Sequence, residues 1–203
     1  MGYFPFFIDI ENKNCLIVGG GQVALRKLEK LLPFNPKITV VAPEICDEIK
    51  ENKSVKIFNR KFKESDIENA FMVISATNDN SLNTHIFELC QENNILINTV
   101  DDKDNCGFIF PALVKSDNLT VGISTSGKSP LYAKYLRGKI EKTIDEKCDE
   151  TVIVLNKYRD YIKREIKSEN NRKKAFERIL VLCLENENNI DESKIKKITE
   201  EFR

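Results

Sequence analysis

The sequence predicts an α/β protein built on a parallel sheet, and three observations carry that prediction. Short, continuously apolar runs recur along the first half of the chain. Amphipathic stretches with helical spacing separate them. Between the first run and the first such stretch, three of the chain's eight glycines stand in a row. Strands covered on both faces read as unbroken apolar runs, where half-exposed strands would alternate.

The strand-sized runs are Asn14–Val18 (NCLIV), Lys37–Val41 (KITVV), Val55–Asn59 (VKIFN), Phe71–Ala76 (FMVISA) and Ile95–Val100 (ILINTV). Val23–Leu32 is the first expected helix, with Leu25, Leu28, Leu31 and Leu32 at helical spacing. Ser81–Asn93 is the second, carrying Leu82, Ile86, Leu89 and Cys90 on one face. This β-α-β rhythm argues for a doubly wound, Rossmann-like sheet. After Asp101 the rhythm changes. Phe108–Val114 and Leu119–Thr125 are separated only by Lys-Ser-Asp-Asn, which predicts an antiparallel pair joined by a turn. From Ser129 the pattern is helical. Leu136, Ile140, Ile144 and Cys148 recur every fourth residue, and Leu155, Tyr158, Ile162 and Ile166 continue the stripe. Two further amphipathic segments follow near Arg172–Leu184 and Glu192–Phe202, with Glu185–Asn189 as a loop between them.

Composition narrows the function. Lys plus Arg and Asp plus Glu balance at 32 each, so no overall charge draws the chain to nucleic acid or an acidic membrane. No apolar stretch approaches bilayer-spanning length, and the opening residues lack the basic start and cleavage site of a signal peptide. The six cysteines are scattered, without a C-x-x-C pair, which predicts reduced thiols rather than disulfides or structural zinc. A cytoplasmic protein with no resident metal is expected. The lone His85 falls within a helical pattern and reads as structural.

Gly19-Gly20-Gly21-Gln22-Val23-Ala24 matches G-x-G-x-x-A between a strand and a helix, where dinucleotide binding requires it. Gly19 allows the tight turn, Gly21 lets a diphosphate approach the backbone, and Ala24 lets helix and strand pack closely. The N–H groups and dipole of the following helix hold the phosphates. Pro43-Glu44 follow the second strand, somewhat past the usual offset of the ribose-binding acid. Glu44 or the loop backbone could take the hydroxyls, or Glu44 could simply open a surface helix. No arginine follows directly, which favours NAD over NADP.

Further chemistry gathers at strand ends. Thr77 and Asn78 follow the fourth strand and are candidates to line the nicotinamide side, while Asn78-Asp79-Asn80 also reads as a helix cap. Asp101 directly follows the fifth strand, where a partly buried carboxylate can act as a general base. Asp102 and Asp104 sit in a Lys-bearing loop and read as solvated. Ser124-Thr125-Ser126-Gly127-Lys128-Ser129, followed by Pro130, offers hydroxyls, amides and a cation to an anion, and reads equally well as a plain helix cap.

Taken together, these pieces resemble the precorrin-2 dehydrogenase/sirohydrochlorin ferrochelatase family of siroheme biosynthesis. The resemblance runs from about Phe4 to Ile144 on GGGQVALRK, VVAPE, SATND, NTVDD, FIFPALV and ISTSGKSPLYAKYLR, in that order. It implies an NAD-binding domain (1–112), a small mixed α/β dimerisation domain (113–149) and a C-terminal helical domain (150–203), assembled as a homodimer. It implies NAD-dependent oxidation of precorrin-2 to sirohydrochlorin; some members also insert ferrous iron. Asp101 corresponds to the family's catalytic aspartate, and Gln22-Val23 and Pro43-Glu44 to its cofactor contacts. Thr125 stands where a relative has serine. The tetrapyrrole carries eight carboxylates, which Ser124–Ser129 and nearby Arg137 would meet, and no fused methyltransferase is expected. The rival reading is a non-catalytic regulatory protein that binds NAD or a tetrapyrrole. A different small-molecule dehydrogenase would want a catalytic His or a Tyr-x-x-x-Lys arrangement.

Overall fold

Residues 3–102 and 104–203 are described by a computed structural model; Met1, Gly2 and Lys103, the last in the loop expected after the fifth strand, lie outside the described residues. Five strands pair in parallel: β1 (Asn14–Val18), β2 (Lys37–Ala42), β3 (Val55–Asn59), β4 (Met72–Ser75) and β5 (Leu96–Thr99). Their order is β3-β2-β1-β4-β5, so the direction of winding reverses between β1 and β4. Ligands bind beyond the carboxyl ends of the strands at such a reversal. β1 and β3 occupy the expected residues; β4 and β5 are shorter by a residue at each end.

Alternation along each strand sends successive side chains to opposite faces. Cys15 and Ile17 of β1 join Ile38, Val40 and Ile74 under α1 (Gln22–Leu31), which buries Ala24, Leu28 and Leu31. Leu16 and Val18 face the other way, with Val41, Val73 and Ile97, against Ile86 and Cys90 of α3 (Asn80–Glu92). Each fully buried Leu or Ile contributes about 1.5–3 kcal/mol, so the β1–α1 junction is clamped from both faces. A four-residue α2 (Asp47–Lys50) follows β2. The β3–β4 crossover carries a 3₁₀ turn (Glu64–Ile67) instead of a long helix. Arg60 anchors it with two bonds to the Asp66 carboxylate, 2.8 and 2.6 Å, which hold that carboxyl below its usual range.

The chain divides into two compact units, Phe4–Phe110 and one built on Pro111–Arg203. That boundary corrects one expected element. Phe108 and Phe110 are not strand; they pack, rings 5.4 Å apart, against the α1 face of the first unit. The antiparallel pair in the second unit is shorter, β6 (Ala112–Lys115) with β7 (Thr120–Ile123), its turn closed from Ser116 N–H to the Leu119 carbonyl at 3.0 Å.

Four helices complete the second unit: α4 (Pro130–Glu141), α5 (Glu146–Glu165), α6 (Glu169–Glu185) and α7 (Glu192–Glu201). Ile162, Ile166, Ala175, Ile179, Cys183, Ile195 and Ile198 form a separate core among the last three. The every-fourth stripe from Leu136 to Cys148 does not lie on one helix. Thr143 and Ile144 both donate to the Ile140 carbonyl, ending α4, and the Asp145 carboxylate caps α5 by accepting from Cys148 N–H at 3.1 Å. The stripe signals two helices whose apolar faces happen to be in phase. No described helix is long and apolar enough to cross a membrane. The six cysteines are free, and burial pushes the Cys15 and Cys90 thiols up to about 11, as small core residues.

Candidate functional site

The three glycines of the β1–α1 turn are not equivalent: two are closed in by backbone and the third faces open space. Gly19 adopts φ +124°, which side chains rarely tolerate, and a Cβ there would lie 2.3 Å from the Ala76 carbonyl oxygen at the end of β4. Gly20, to which the motif assigns no role, is just as constrained: its Cβ would meet the Glu44 carbonyl oxygen at 2.2 Å. The turn is thus pinched between the β2 and β4 exits, with Gly19 N–H bonded to Val41 and Cys46 N–H to Gly20. Gly21 differs, because nothing lies within 4 Å of where its Cβ would be. Ala24 is fully buried against the strands.

Helix α1 also begins differently from the other described helices of ten residues or more. Asp79, Ser129, Asp145, Ser168 and Asp191 cap α3 to α7 through side-chain oxygens that accept from the first turn. Gly21 offers α1 no side-chain cap. The opening N–H groups of a helix have no intrahelical partner and carry the positive end of its dipole. Open space over Gly21 and uncapped donors behind it fit the diphosphate of a dinucleotide.

A cleft of about 1000 Å³ opens there, lined by Gly19, Gly21, Gln22, Val23, Pro43, Glu44, Thr77 and Asn78. The structure therefore brings together every expected cofactor contact except Ala24, which lies beneath. Pro43 and Glu44 are exposed in the bend before α2, so Glu44 does not open a helix; that begins at Asp47. Gln22 reaches Glu48, its Nε2 donating to Oε1 at 3.3 Å. Thr77 is less available than its position suggests: its hydroxyl donates to Asn83 Oδ1 at 2.6 Å and accepts from Asp79 N–H at 3.2 Å. Asn78 is exposed at the rim. Lys61 and Phe62, beyond β3, also line the cleft and were missed. Only the sheet order, with β3 beside β2, reveals them.

Asp101 stands two residues past the Ser75–Thr99 pairing of β4 and β5, exposed, in a left-handed conformation at φ 60°. Aspartate tolerates that region better than most residues. It is not among the residues lining the cleft. The contrast expected with its neighbour is reversed. Asp102 is the half-buried one, its carboxylate accepting from the amides of Asp104 and Asn105 and from Asn105 Nδ2. Those bonds hold the turn and leave Asp101 as the outward carboxylate. His85 is exposed on α3, with Nε2 2.9 Å from Glu64 Oε1.

The Ser124–Ser129 loop lies in the second unit and is described by itself. Ser126 (φ 53°) and Gly127 (φ 76°) are left-handed. Ser124 Oγ accepts from Ser126 N–H and Thr125 Oγ1 from Ser129 N–H, both at 3.0 Å, while Ser129 Oγ caps α4 from Tyr132 N–H at 3.3 Å. A hydroxyl that accepts from an amide keeps its own proton to donate, so these three remain donors for an anion. Lys128 is exposed beside them. Arg137 sits two helical turns further on, about 10 Å along α4 by the usual rise per residue, and its Nε is 3.9 Å from Glu141 Oε2. It is not gathered into the loop.

Known proteins match this architecture. An NAD(P)-binding family model matches residues 6–112, over half of the chain. A second, described as sirohaem biosynthesis protein central, matches residues 117–143. The siroheme synthase of Buchnera aphidicola subsp. Acyrthosiphon pisum (strain APS) is 37% identical over 182 residues, covering 88% of this chain and 38% of that protein. That of Thioalkalivibrio sulfidiphilus (strain HL-EbGR7) is 37% identical over 183 residues, covering 89% and 37%. The chain thus spans well under half the length of these relatives. A solved structure titled SirC, precorrin-2 dehydrogenase, superposes with a TM-score of 0.70 at 25% identity, covering 98% of both chains.

Proposed function

The chain belongs to the NAD(P)-binding family whose model matches residues 6–112, and from that premise we propose that it is a precorrin-2 dehydrogenase, oxidising precorrin-2 to sirohydrochlorin with NAD. The observation that carries this reading is the glycine turn: Gly19 and Gly20 packed against backbone, Gly21 open before an uncapped α1. When bound, NAD supplies the hydride acceptor. The chain supplies orientation and charge. The amides of Gly21, Gln22 and Val23 hold the diphosphate, and Glu44 with the adjoining loop backbone takes the adenosine ribose. Thr77 shapes the wall and Asn78 contacts the nicotinamide end.

Oxidation removes one hydride and one proton from the tetrapyrrole. Asp101 accepts the proton; its place just beyond the carboxyl end of β5, the edge of the sheet where ligands bind, supports that role. The loop of Ser124, Thr125, Ser126, Gly127, Lys128 and Ser129 binds substrate carboxylates through hydroxyl protons and the Lys128 ammonium, with Arg137 as a more distant cation. The proposal includes the division into cofactor (1–112), dimerisation (113–149) and helical (150–203) domains, a homodimer and a cytoplasmic location. Phe4, Phe6 and Phe7 in one unit and Leu131, Tyr132 and Tyr135 in the other are exposed apolar side chains that support a second copy.

Anaerobic incubation with precorrin-2 and NAD tests the reading. NADH and the sirohydrochlorin spectrum should rise together, and ferrous iron added afterwards reports whether siroheme forms. A regulatory protein would bind both ligands and change neither spectrum. Asp101→Asn should keep NAD affinity within about twofold and lower kcat by at least about a hundredfold. Turnover that survives this change removes Asp101 from the role of base.

A further inference from the structure

One cluster beneath the Asp101 segment has no part in the reading above. Lys27, half-buried on α1, donates from Nζ to Asn98 Oδ1 at 3.1 Å and lies 4.2 Å from the centroid of the Phe110 ring. Asn98 is buried in β5 and passes the contact on. Its Nδ2 donates to the Phe108 carbonyl at 2.9 Å and lies 3.4 Å from Cys106 Sγ, and its backbone bridges to Cys106. The Cys106 thiol sits 3.1 Å from the Thr99 carbonyl and 3.0 Å from that of Asp102. Gly107 N–H bonds back to Ile97 at 2.9 Å. Both ends of the segment from Thr99 to Phe108 are therefore tied at one point, and Lys27 bonds that point.

An ammonium in this setting is costly. Burial, and then Lys30 on the same helix, pull Lys27 down from 10.5 to about 8, against the opposite effect of Cys106 and Asp101 from the segment. Burial raises the Cys106 thiol, with Asp102 adding to the rise, and Lys27 opposes it. An apolar side chain of similar length would pack on Phe110 without the desolvation penalty. What such a residue could not do is hold the Asn98 amide in one orientation while placing positive charge beside the Asp101 segment.

We infer that Lys27 is a positioning residue: through Asn98 it fixes the segment that carries Asp101, and so sets where the proton-accepting carboxylate stands. The inference rests on the dehydrogenase reading for its catalytic consequence, though not for the lock itself.

The test compares wild type with Lys27→Met and Lys27→Arg by NAD titration, steady-state kinetics with precorrin-2 across pH, and hydrogen exchange of the 99–108 amides. Lys27→Met should lower kcat by about tenfold or more while NAD affinity stays within about twofold, and should speed exchange in 99–108. Wild type should lose kcat/KM above a limb near pH 8; the Met variant should lack that limb. Lys27→Arg, always charged, should restore kcat to within about threefold of wild type and hold it through pH 8 without the limb. A Met variant with unchanged kcat and exchange overturns the inference. So does one whose NAD affinity falls in step with kcat, because Lys27 would then merely support α1. If wild type itself turns over no precorrin-2, the functional reading falls. Exchange then decides the lock alone: faster exchange in Lys27→Met upholds it and unchanged exchange overturns it.

Discussion

Two turns in this molecule lead into helices, and they are built on opposite principles. The Gly19–Gly21 turn is held by its surroundings: strand exits press on Gly19 and Gly20 so closely that neither can carry a Cβ. The Ser124–Ser129 loop is held by itself, through hydroxyls that accept its own amides, with Ser126 left-handed although it is not glycine. Packing makes the first turn rigid and intolerant; local hydrogen bonding makes the second adjustable. That suits a diphosphate of fixed shape in one case and a substrate with many carboxylates in the other.

Substitution at the glycines should break the comparison most sharply. Gly20→Ala forces a methyl group into the Glu44 carbonyl and the Ile45 Cα behind it, and should cost about 1–3 kcal/mol or more of stability and abolish measurable NAD binding. Gly21→Ala meets open space, so thermal unfolding should be near wild type while NAD affinity drops; calorimetry and NAD titration on both proteins separate the effects. If Gly20→Ala binds NAD normally, the pinch is not what shapes the turn.

The second turn should respond by degrees. Thr125→Val removes the acceptor for Ser129 N–H and should destabilise by about 1 kcal/mol. NAD affinity should not change and KM for the tetrapyrrole should rise. Ser126→Gly should act on stability with the opposite sign to Gly20→Ala. It relieves a left-handed residue whose strain costs about 1–2 kcal/mol, offset in part by the greater freedom of unfolded glycine. A small rise in melting temperature is expected; a fall would mean the Ser126 side chain contributes more than its strain costs.

The smallest effect concerns pH and the helix that follows the first turn. Because Lys27 is depressed to about 8 in the folded protein from 10.5, the unfolded chain binds more protons between those values. Its contribution therefore makes stability increase with pH across that window, and below about 8 the folded state carries the buried ammonium's penalty. The Cys15 and Cys90 thiols, raised from 9.0 to about 11, act with the opposite sign in the same range, so the measurement is the difference between the two proteins: from pH 8 to pH 10 the denaturant midpoint of wild type should gain on that of Lys27→Met.

The same contrast explains what the sequence disclosed. The parallel strands and the glycine motif were legible because each is written locally: an apolar run bounded by polar residues, a tight turn, a small residue at Ala24. Boundaries failed where a local signal had two meanings. Phe108 and Phe110 look like strand, yet their rings serve the α1 face. The stripe through Ile144 looks like one helix but crosses the Asp145 cap. The role of Gly20, the cleft positions of Lys61 and Phe62 and the Lys27–Asn98 bond depend on strands distant in sequence becoming neighbours. The exposure of Asp101 relative to Asp102 follows from which carboxylate the turn amides recruit, and two adjacent aspartates carry no mark of that choice.

Helix α1, alone among the described helices of ten residues or more, starts without a side chain to finish it. A coenzyme seated there does the work of the absent residue, and its concentration then becomes part of the protein's own stability. At about a hundred times its Kd, a ligand that binds only the native state adds roughly 2.7 kcal/mol. A cell that drains its oxidised coenzyme would shorten the lifetime of this protein against proteolysis as well as slow its reaction, coupling supply of the oxidant to the amount of catalyst that survives.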